Sequence, residues 1–219
     1  MSVDIVVGPQ WDRRVIDLEI PYGKKVGLMV SGGLDSAILL YALHKVNPGA
    51  SITTFCVPRE ADDAKTHSYA VHKKVSELLG KELPMPTLIG TSIDENSVSA
   101  TTHLLNSGAY DLIYDGVNHQ PPLGFGFYDK NPKMATTESR GSDKGYRAWR
   151  IEREGLVTPF LHTYKYHLID LYYKFSVQEL IVPTHSCTTL TAGRCNDCNW
   201  CWERAWAFDQ LGKTDPGTN

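Results

Sequence analysis

Short runs of apolar residues alternate along the chain with segments in which apolar residues return every three to four positions. The runs predict buried strands at 25–30, 51–57, 87–91, 111–117 and 156–160. The periodic segments predict helices at 37–46, 62–79, 97–105, 164–175 and 202–211. Strands that alternate with helices predict an α/β fold built on a doubly wound, Rossmann-like parallel sheet.

Several segments fall outside this alternation. Residues 1–24 form an N-terminal extension in which 3–7 and 15–20 predict short edge strands or hairpin arms. The core domain is expected at 25–183, and within it residues 118–149 are polar and rich in Pro and Gly, as is typical of a functional loop or lid. A cysteine-rich segment with a closing helix follows at 184–211, and we expect the tail at 212–219 to fray.

The length and composition are those of one folded globular domain, or of one such domain with a small appendage. The 219 residues are 42% apolar and 21% charged, and 22 Lys and Arg against 25 Asp and Glu give a net charge of −3. This acidic balance argues against a strongly basic nucleic-acid binder. No apolar run approaches the roughly 18 residues of a membrane span, and the N-terminus does not resemble a secretory signal. We therefore expect a cytoplasmic protein with neither membrane nor nucleic acid as a partner.

A Ser-Gly-Gly-Leu-Asp-Ser segment begins at Ser31, after a predicted strand and at the start of a predicted helix. Helix N-terminal N–H groups attract anions, and Gly32 and Gly33 let the backbone approach a phosphate closely. Ser31 and Ser36 add hydroxyl donors, whereas Asp35 would repel phosphate unless it holds a metal ion or binds donors in the loop. The Gly-Lys-Ser/Thr ending of a Walker loop is missing, which favours a nucleotide cleaved between its α- and β-phosphates. A plain helix N-cap is the alternative.

This segment resembles the pyrophosphate-binding loop of the N-type ATP pyrophosphatases, a group that includes GMP synthetase, NAD synthetase and tRNA thiolation enzymes. The resemblance implies an adenine-nucleotide α-hydrolase-like sheet that binds ATP with Mg²⁺. It also implies adenylation of a carboxylate or carbonyl oxygen, followed by displacement of AMP by a nitrogen or sulfur nucleophile. The ATP-binding residues implied by the loop and by the end of the second core strand are Ser31, Gly32, Gly33, Leu34, Asp35, Ser36, Phe55 and Val57.

Four of the five cysteines lie in one short segment, with the pattern Cys187-x7-Cys195-x2-Cys198-x2-Cys201. Four close thiolates suit a structural zinc ion, because they fill a tetrahedral shell and leave no position for water. An iron–sulfur cluster and unligated thiols are the alternatives, although the fourth cysteine of a ferredoxin-type run is missing. Cys56 stands alone and is expected to be a buried small hydrophobe.

The loop and the cysteine pattern together resemble the 7-cyano-7-deazaguanine synthases, which form a nitrile in queuosine precursor synthesis. The stretches Thr-Pro-Phe-Leu-His-Thr-Tyr-Lys at 158–165 and Thr-His-Ser-Cys at 184–187 also resemble that family. The resemblance implies that Lys165 neutralises a phosphate or a leaving group, with a solvated helix lysine as the alternative. Ser31, Asp35 and Ser36 are the other expected catalytic residues. The implied reactants are ATP, ammonia and 7-carboxy-7-deazaguanine, and a homodimer is compatible with the resemblance.

Polar residues at the end of the fourth core strand are candidates for the acceptor site, because ligands of open α/β sheets lie beyond the carboxyl ends of the strands. Asp115, Asn118 and His119 are expected to contact the acceptor or a metal ion, with capping and loop roles as the alternative. The family carries a Tyr-Pro-Asp-Cys-Arg-like stretch near this point and this chain does not. Another small carboxylic acid therefore stays open as the acceptor.

Further side chains have two interpretations each. Four basic residues in or beside the long loop would close over the triphosphate or form a solvated face: Arg140, Lys144, Arg147 and Arg150. Three tryptophans near the cysteines would give apolar cover to a metal knuckle or stack on bases: Trp200, Trp202 and Trp206. The histidines show no recognisable ligand spacing.

Two other functions stay open from the sequence. One is a sulfur-transferring enzyme that modifies RNA or DNA with an iron–sulfur cluster on the four cysteines, for which light absorption at about 400 nm would be diagnostic. The other is a non-enzymatic zinc knuckle that presents tryptophans to single-stranded nucleic acid or to a protein. That function would show binding without ATP turnover.

Overall fold

The computed structural model describes residues 4–58, 63–90, 97–121 and 153–217. Two strands form an N-terminal antiparallel hairpin, β1 (Asp4–Val7) and β2 (Arg14–Asp17). Five strands form the central sheet: β3 (Val26–Met29), β4 (Ile52–Cys56), β5 (Thr87–Leu88), β6 (Leu112–Tyr114) and β7 (Leu156–Val157). The helices are α1 (Leu34–Val46), α2 (Ala64–Leu79), α3 (Ser97–Asn106), α4 (Lys165–Lys174) and α5 (Asn199–Gln210), with a 3-10 helix at Gln178–Ile181.

The strand order of the sheet is β5-β4-β3-β6-β7, and every neighbouring pair is parallel. The chain builds outward from β3 through β4 to β5, and then crosses back to place β6 on the other side of β3. This reversal makes a topological switch point between β3 and β6, where ligands of open α/β sheets bind beyond the strand ends.

The two faces of the sheet pack against separate apolar cores. Val26 and Leu28 of β3 belong to the larger core, to which α1, α2 and α4 contribute. Gly27 lies between them, where a Cβ would come within 2.5 Å of Ile113 Cδ1, an atom of the second core. Ala100 belongs to that second core and comes from α3. Helices therefore cover both faces, which confirms the prediction of a doubly wound parallel α/β fold.

Helix α1 is the central helix of the larger core. Every residue at 36–43 is buried, as expected of a helix that is covered on all sides. The helix ends at Asn47, whose side-chain amide donates to the carbonyl oxygens of Leu43 at 3.0 Å and Leu18 at 2.8 Å. The Asn47 Oδ1 atom accepts from the Ile20 N–H at 3.0 Å, so this cap also ties the N-terminal extension to the core.

The N-terminal hairpin shares the larger core. Val7 and Ile16 are fully buried there. The hairpin is also bonded to α4, where the Gly8 N–H donates to Asp170 Oδ2 at 2.8 Å and the Tyr166 hydroxyl donates to Asp12 Oδ2 at 2.5 Å.

Two expectations about the C-terminal region are wrong. The closing helix begins at Asn199 and not at residue 202, so that its first turn includes Cys201. The tail is not frayed over its described residues, because Asp215 is only 7% exposed and forms two hydrogen bonds with Arg204, at 2.7 and 3.0 Å. Arg204 is itself fully buried, and Arg194 also pairs with Asp215.

Two further predictions concern the rest of the chain. Most of the expected lid and all four of its basic residues lie at 122–152, outside the described residues. Among the residues that are described, no helix combines the length and the apolar character that a membrane crossing requires.

Candidate functional site

A cavity of about 300 Å³ lies at the switch point of the sheet. Residues 31–36, called the glycine loop below, follow β3 and lead into α1. Most of this loop lines the cavity, together with Phe55 and Val57 at the end of β4 and with Asp115 after β6. Other parts of the lining include Lys165 and the segment 185–188. Most of the residues predicted for a nucleotide, and Asp115 of the three predicted for an acceptor, therefore line one common cavity.

Gly32 has a backbone conformation and a packing environment that suit glycine. Its φ angle is +80°, in the region that side-chain-bearing residues rarely adopt. A Cβ on Gly32 would lie 2.6 Å from the Ser68 backbone nitrogen in α2. Its carbonyl oxygen accepts a hydrogen bond from the His185 N–H at 3.0 Å. Gly32 thus lets the loop lie directly on α2 and bond to the segment before the cysteines.

The first turn of α1 has no side-chain cap. Its N-cap is Gly33, which has no side chain to accept hydrogen bonds from the N–H groups of that turn. The hydroxyl oxygens of Ser31 and Ser36 lie 3.4 Å apart beside it. Below the turn, the buried Tyr172 hydroxyl donates to the Leu34 carbonyl oxygen at 2.6 Å. Burial raises the pKa of Tyr172 well above its usual value, so this donor keeps its proton at ordinary pH.

Lys165 is the first residue of α4 and is buried, with only 3% of its surface exposed. Its Nζ lies 3.1 Å from Asp35 Oδ2 and 2.9 Å from Glu203 Oε2. The alternative of a solvated helix lysine is therefore wrong. Lys165 instead joins the glycine loop to α5, the helix that carries Cys201.

The three expected acceptor residues have different surroundings. Asp115 is 7% exposed and lines the cavity. Asn118 is fully buried, and its side-chain amide donates to Glu203 Oε1 at 3.4 Å. The His119 ring packs edge-on against Tyr164, and its Nδ1 lies 2.9 Å from the Gln120 carbonyl oxygen. Asp115 is thus among the lining residues, whereas Asn118 and His119 are not.

The glycine after Asp115 sets how closely β6 approaches the loop. A Cβ on Gly116 would lie 3.1 Å from the backbone carbonyl carbon of Asp35 and from the Ser36 nitrogen. Such contacts are tighter than side chains normally make, so the small residue permits a close approach at the first turn of α1. The carboxyl end of β6 therefore lies close against the first turn of α1 where both line the cavity.

The four clustered cysteines converge at one point, with all four sulfur atoms within 4.8 Å of one another. A tetrahedral ion with metal–sulfur bonds of about 2.3 Å needs sulfur atoms about 3.8 Å apart, and those of Cys195 and Cys201 are 3.9 Å apart. The Leu190 N–H donates to Cys187 Sγ at 3.3 Å, and the Cys198 N–H donates to Cys195 Sγ at 3.1 Å. This donor set fits one four-coordinate metal ion.

The protein environment shifts the pKa values of two of the thiols in opposite directions. Hydrogen bonds from the backbone N–H groups of Asp197 and Cys198 lower the pKa of Cys195 to about 6. Burial raises the pKa of Cys201 to about 12. A thiolate is therefore already favoured at Cys195 near neutral pH, whereas a metal ion would have to displace a proton from Cys201.

Two stacked histidine rings attach the cysteine segment to α2, beside the glycine loop. The centroids of His67 and His185 are 4.0 Å apart, with an angle of 4° between the ring planes. The His67 Nε2 lies 2.8 Å from the Thr191 carbonyl oxygen, and the His185 Nε2 lies 2.8 Å from that of Leu190. Both histidines line the cavity. The sequence carries no signal for this pair, because residues this far apart give no spacing pattern.

The tryptophans separate into two groups. Trp206 is 8% exposed and packs against Tyr166 with ring centroids 5.4 Å apart. Trp202 Nε1 donates to the Asp197 carbonyl oxygen at 3.1 Å, inside the cysteine segment. These contacts fit the predicted apolar cover. Trp200 lines the cavity, a place that the sequence analysis did not anticipate.

Comparisons with known proteins give matches only among solved structures. Searches of protein-family models and of curated proteins found no match. Fourteen chains of solved structures match. One is the U34-tRNA thiolase NcsA from Methanococcus maripaludis with its [4Fe-4S] cluster, at 17% identity over 89% of this chain and 68% of that chain, with a TM-score of 0.45. Another is NMN synthetase from Francisella tularensis, at 14% identity over 88% of this chain and 79% of that chain, with a TM-score of 0.49. Likenesses of this degree carry no conclusion about function.

Proposed function

We propose that this protein is an ATP-dependent ligase that adenylates a carboxylate and then amidates it with ammonia. It would act as an N-type ATP pyrophosphatase, with 7-carboxy-7-deazaguanine as the expected acceptor. The observation that carries the proposal is the glycine loop at the switch point. The loop offers uncapped helix N–H groups and two serine hydroxyls to the same cavity that Phe55 and Asp115 line.

The first activation consists of two displacements. A carboxylate oxygen of the acceptor attacks the α-phosphorus of magnesium-bound ATP, and pyrophosphate leaves, which gives an acyl-adenylate. Ammonia then attacks the acyl carbon and AMP leaves, which gives an amide. A second adenylation on the amide oxygen, followed by loss of AMP and a proton, would give the nitrile. No protein nucleophile is required, so catalysis consists of positioning and charge stabilisation.

Each wall of the cavity has a defined task in this scheme. The N–H groups of the glycine loop and the hydroxyls of Ser31 and Ser36 hold the two outer phosphates, which leave together. Phe55 and Val57 face the adenine, and Asp115 faces the acceptor. The buried ammonium of Lys165 lies beside the loop, where it would offset negative charge that develops on the departing pyrophosphate.

We propose that the four cysteines hold one structural zinc ion. The sulfur separation of 3.9 Å between Cys195 and Cys201 supports a single tetrahedral ion. An ion there would fix the first turn of α5 and the segment 187–191, which touches the glycine loop through His67 and His185. The zinc would therefore shape the nucleotide cavity without taking part in the chemistry.

The test is incubation of the protein with ATP, Mg²⁺, ammonia and 7-carboxy-7-deazaguanine, with AMP and product mass as readouts. We expect one AMP for each activation, and a roughly 100-fold loss of turnover in Ser36→Ala because a donor to the phosphates is removed. Ser51→Ala is the matched control, since Ser51 is exposed and does not line the cavity. AMP formation with only a different carboxylic acid would keep the mechanism and change the substrate. Undiminished AMP formation in Ser36→Ala would refute the phosphate-binding role that is proposed for the glycine loop.

A sulfur-transfer enzyme is the second candidate, and one observation favours it. Cys187 is both a member of the cysteine cluster and a lining residue of the cavity, so a cluster there would lie close to an activated substrate. Absorption at about 400 nm in protein purified without oxygen, together with iron in the metal analysis, would support this candidate. Colourless protein that contains zinc and forms amide would exclude it.

A further inference from the structure

Glu203 is the least exposed carboxylate among the described residues, at 1%. It lies in α5, two residues after Cys201, and no motif of the sequence points to it. An ionised carboxylate in such a place costs several kcal/mol unless charged or polar partners compensate for the lost water. The hydrogen-bond partners of Glu203 therefore indicate why an acidic residue occupies this buried position.

Both oxygens of Glu203 receive a hydrogen bond. The Lys165 ammonium donates to Oε2 at 2.9 Å, and the Asn118 side-chain amide donates to Oε1 at 3.4 Å. Asn118 is fully buried and Lys165 is 3% exposed. The carboxylate is thus fixed on both sides by buried groups, and Lys165 is fixed with it.

The second carboxylate that pairs with Lys165 belongs to Asp35, and it is more exposed than that of Glu203. The Asp35 side chain is 22% exposed, lies 3.1 Å from the ammonium through Oδ2, and lines the cavity. Asp35, Glu203 and Lys165 together carry a charge of −1 beside the glycine loop. A cation that accompanies an entering polyphosphate would offset this formal negative charge. The carboxylate of Asp35 is partly exposed and lines the cavity, so it is the one that can turn toward that cation.

We propose that Glu203 is a positioning residue that holds Lys165 in place, so that Asp35 can leave Lys165 for the magnesium ion of an incoming nucleotide. This inference rests on the proposed function, because it requires the glycine loop to bind magnesium-bound ATP. It assigns the two carboxylates separate tasks. Glu203 keeps the buried ammonium compensated at all times, and Asp35 exchanges between the ammonium and the metal ion.

The variant Glu203→Gln separates this role from a purely structural one. Glutamine keeps the size of the side chain and an oxygen that accepts from Lys165, but it removes the charge. The ammonium would then depend on Asp35 for its compensating charge and would retain it. We therefore expect Mg²⁺ to strengthen ATP binding about tenfold less in Glu203→Gln than in the natural chain, because Asp35 stays with the ammonium.

The experiment is calorimetric titration of the metal-loaded full chain with ATP, in the presence and absence of Mg²⁺. The readout is the dissociation constant for ATP without Mg²⁺ divided by the dissociation constant with Mg²⁺. Glu203→Asp should restore most of the ratio because it restores the charge. Glu179→Gln is the matched control, since it removes a carboxylate that is 58% exposed and pairs with Lys74 away from the cavity. Metal content and melting temperature verify that each variant is folded.

The outcomes are distinct. A reduced ratio in Glu203→Gln, with a near-normal ratio in Glu203→Asp and Glu179→Gln, would support the inference. An unchanged ratio in Glu203→Gln, or an equal loss in Glu203→Asp, would overturn it while leaving the proposed function standing. If Glu203→Gln does not fold, Asp35→Asn decides, because a full Mg²⁺ effect without the Asp35 carboxylate contradicts the exchange. Failure of the natural chain to bind ATP at all would overturn the proposed function as well.

Discussion

Gly32 lies so close to His67 that a Cβ on the glycine would come within 2.5 Å of the histidine's backbone carbonyl carbon. The contact brings the glycine loop against the first turns of α2, and the same histidine bonds the cysteine segment through the Thr191 carbonyl oxygen. The neighbouring Gly33 is different, because its Cβ would meet Ser31 Oγ at 3.4 Å and the His185 carbonyl oxygen at 3.5 Å, which are ordinary contacts. Gly32 is therefore required for the packing of the fold, whereas Gly33 is not.

Alanine at these two positions should give opposite results. We expect Gly32→Ala to lower the free energy of unfolding by about 2–4 kcal/mol, because it combines a strained positive φ with overpacking. Gly33→Ala should keep its melting temperature within about 2 °C yet release pyrophosphate about 100-fold more slowly, because the methyl group occupies the phosphate side of the loop. Thermal unfolding and a pyrophosphate assay measure the two effects.

Gly49→Ala is the control for both glycine variants, since a Cβ there meets no atom within 4 Å. It should match the natural chain in stability and in turnover. Full activity in Gly33→Ala would mean that the loop does not contact the phosphates.

Asp115 should affect the acceptor more than the nucleotide. We expect Asp115→Asn to lower kcat/KM for the acceptor by about 10- to 100-fold with little change in ATP affinity, because Asp115 lines the cavity after β6 and lies outside the glycine loop. Steady-state kinetics and ATP titration give the two quantities. Asp209→Asn, an exposed position on α5, is the control. Loss of ATP affinity with normal acceptor use would instead assign Asp115 to the nucleotide.

Thiol reactivity in the metal-free protein should follow the two opposite pKa shifts. Cys195, with a pKa of about 6, should react with iodoacetamide at a rate that rises with pH and is half-maximal at about pH 6. Cys201, with its pKa raised to about 12 by burial, should stay unreacted at pH 8. Peptide mass mapping identifies the labelled residue. Labelling of Cys201 before Cys195 would contradict these environments, and metal-loaded protein should protect all four thiols.

The ion pair between Arg204 and Asp215 should make the C-terminal residues essential for stability. Asp215→Asn leaves a buried guanidinium without its charge partner, and we expect a loss of about 3–5 kcal/mol in the free energy of unfolding. Removal of residues 213–219 should cost a similar amount. Denaturant unfolding measures both. A truncated chain as stable as the full one would show that the tail is dispensable.

The same pair predicts a dependence of stability on pH. Burial acts to raise the pKa of Asp215, but the hydrogen bond and charge of Arg204 outweigh it and hold this pKa below its usual value. The stabilisation is therefore fully present above about pH 4 and is lost as the pH falls through the lowered pKa. The melting temperature of Asp215→Asn should fall less on acidification than that of the natural chain. An identical acid dependence would contradict this assignment.

The sequence predicts the sheet well because its strand signals are local. The ends of the strands are less predictable, as β6 illustrates: the apolar run extends over 111–117, but the strand pairs only over Leu112–Tyr114. Residues after Tyr114 leave the sheet to line the cavity, and periodicity does not distinguish these two surroundings. The sequence also does not predict the start of α5 at Asn199, because the cysteines and tryptophans there obscure the helical spacing.

The candidate site also has a part that the sequence predicts and a part that it does not. The glycine loop and the cysteines are continuous or closely spaced motifs, so their residue types alone indicate an anion and a metal ion. The pair of Lys165 with Glu203 joins residues 38 positions apart on two helices, and the stack of His67 on His185 joins still more distant segments. Nothing in one sequence links such residues, because their proximity arises only when α4, α5 and α2 pack around the end of β3.

The most direct test of the central claim is a crystal structure of the protein with Mg²⁺ and an ATP analogue that resists cleavage between its α- and β-phosphates. We expect the two outer phosphates to accept hydrogen bonds from the backbone N–H groups of residues 33–36 and from the hydroxyls of Ser31 and Ser36, with the adenine against Phe55 and Val57. Phosphates bound elsewhere, with no contact to the first turn of α1, would contradict the account.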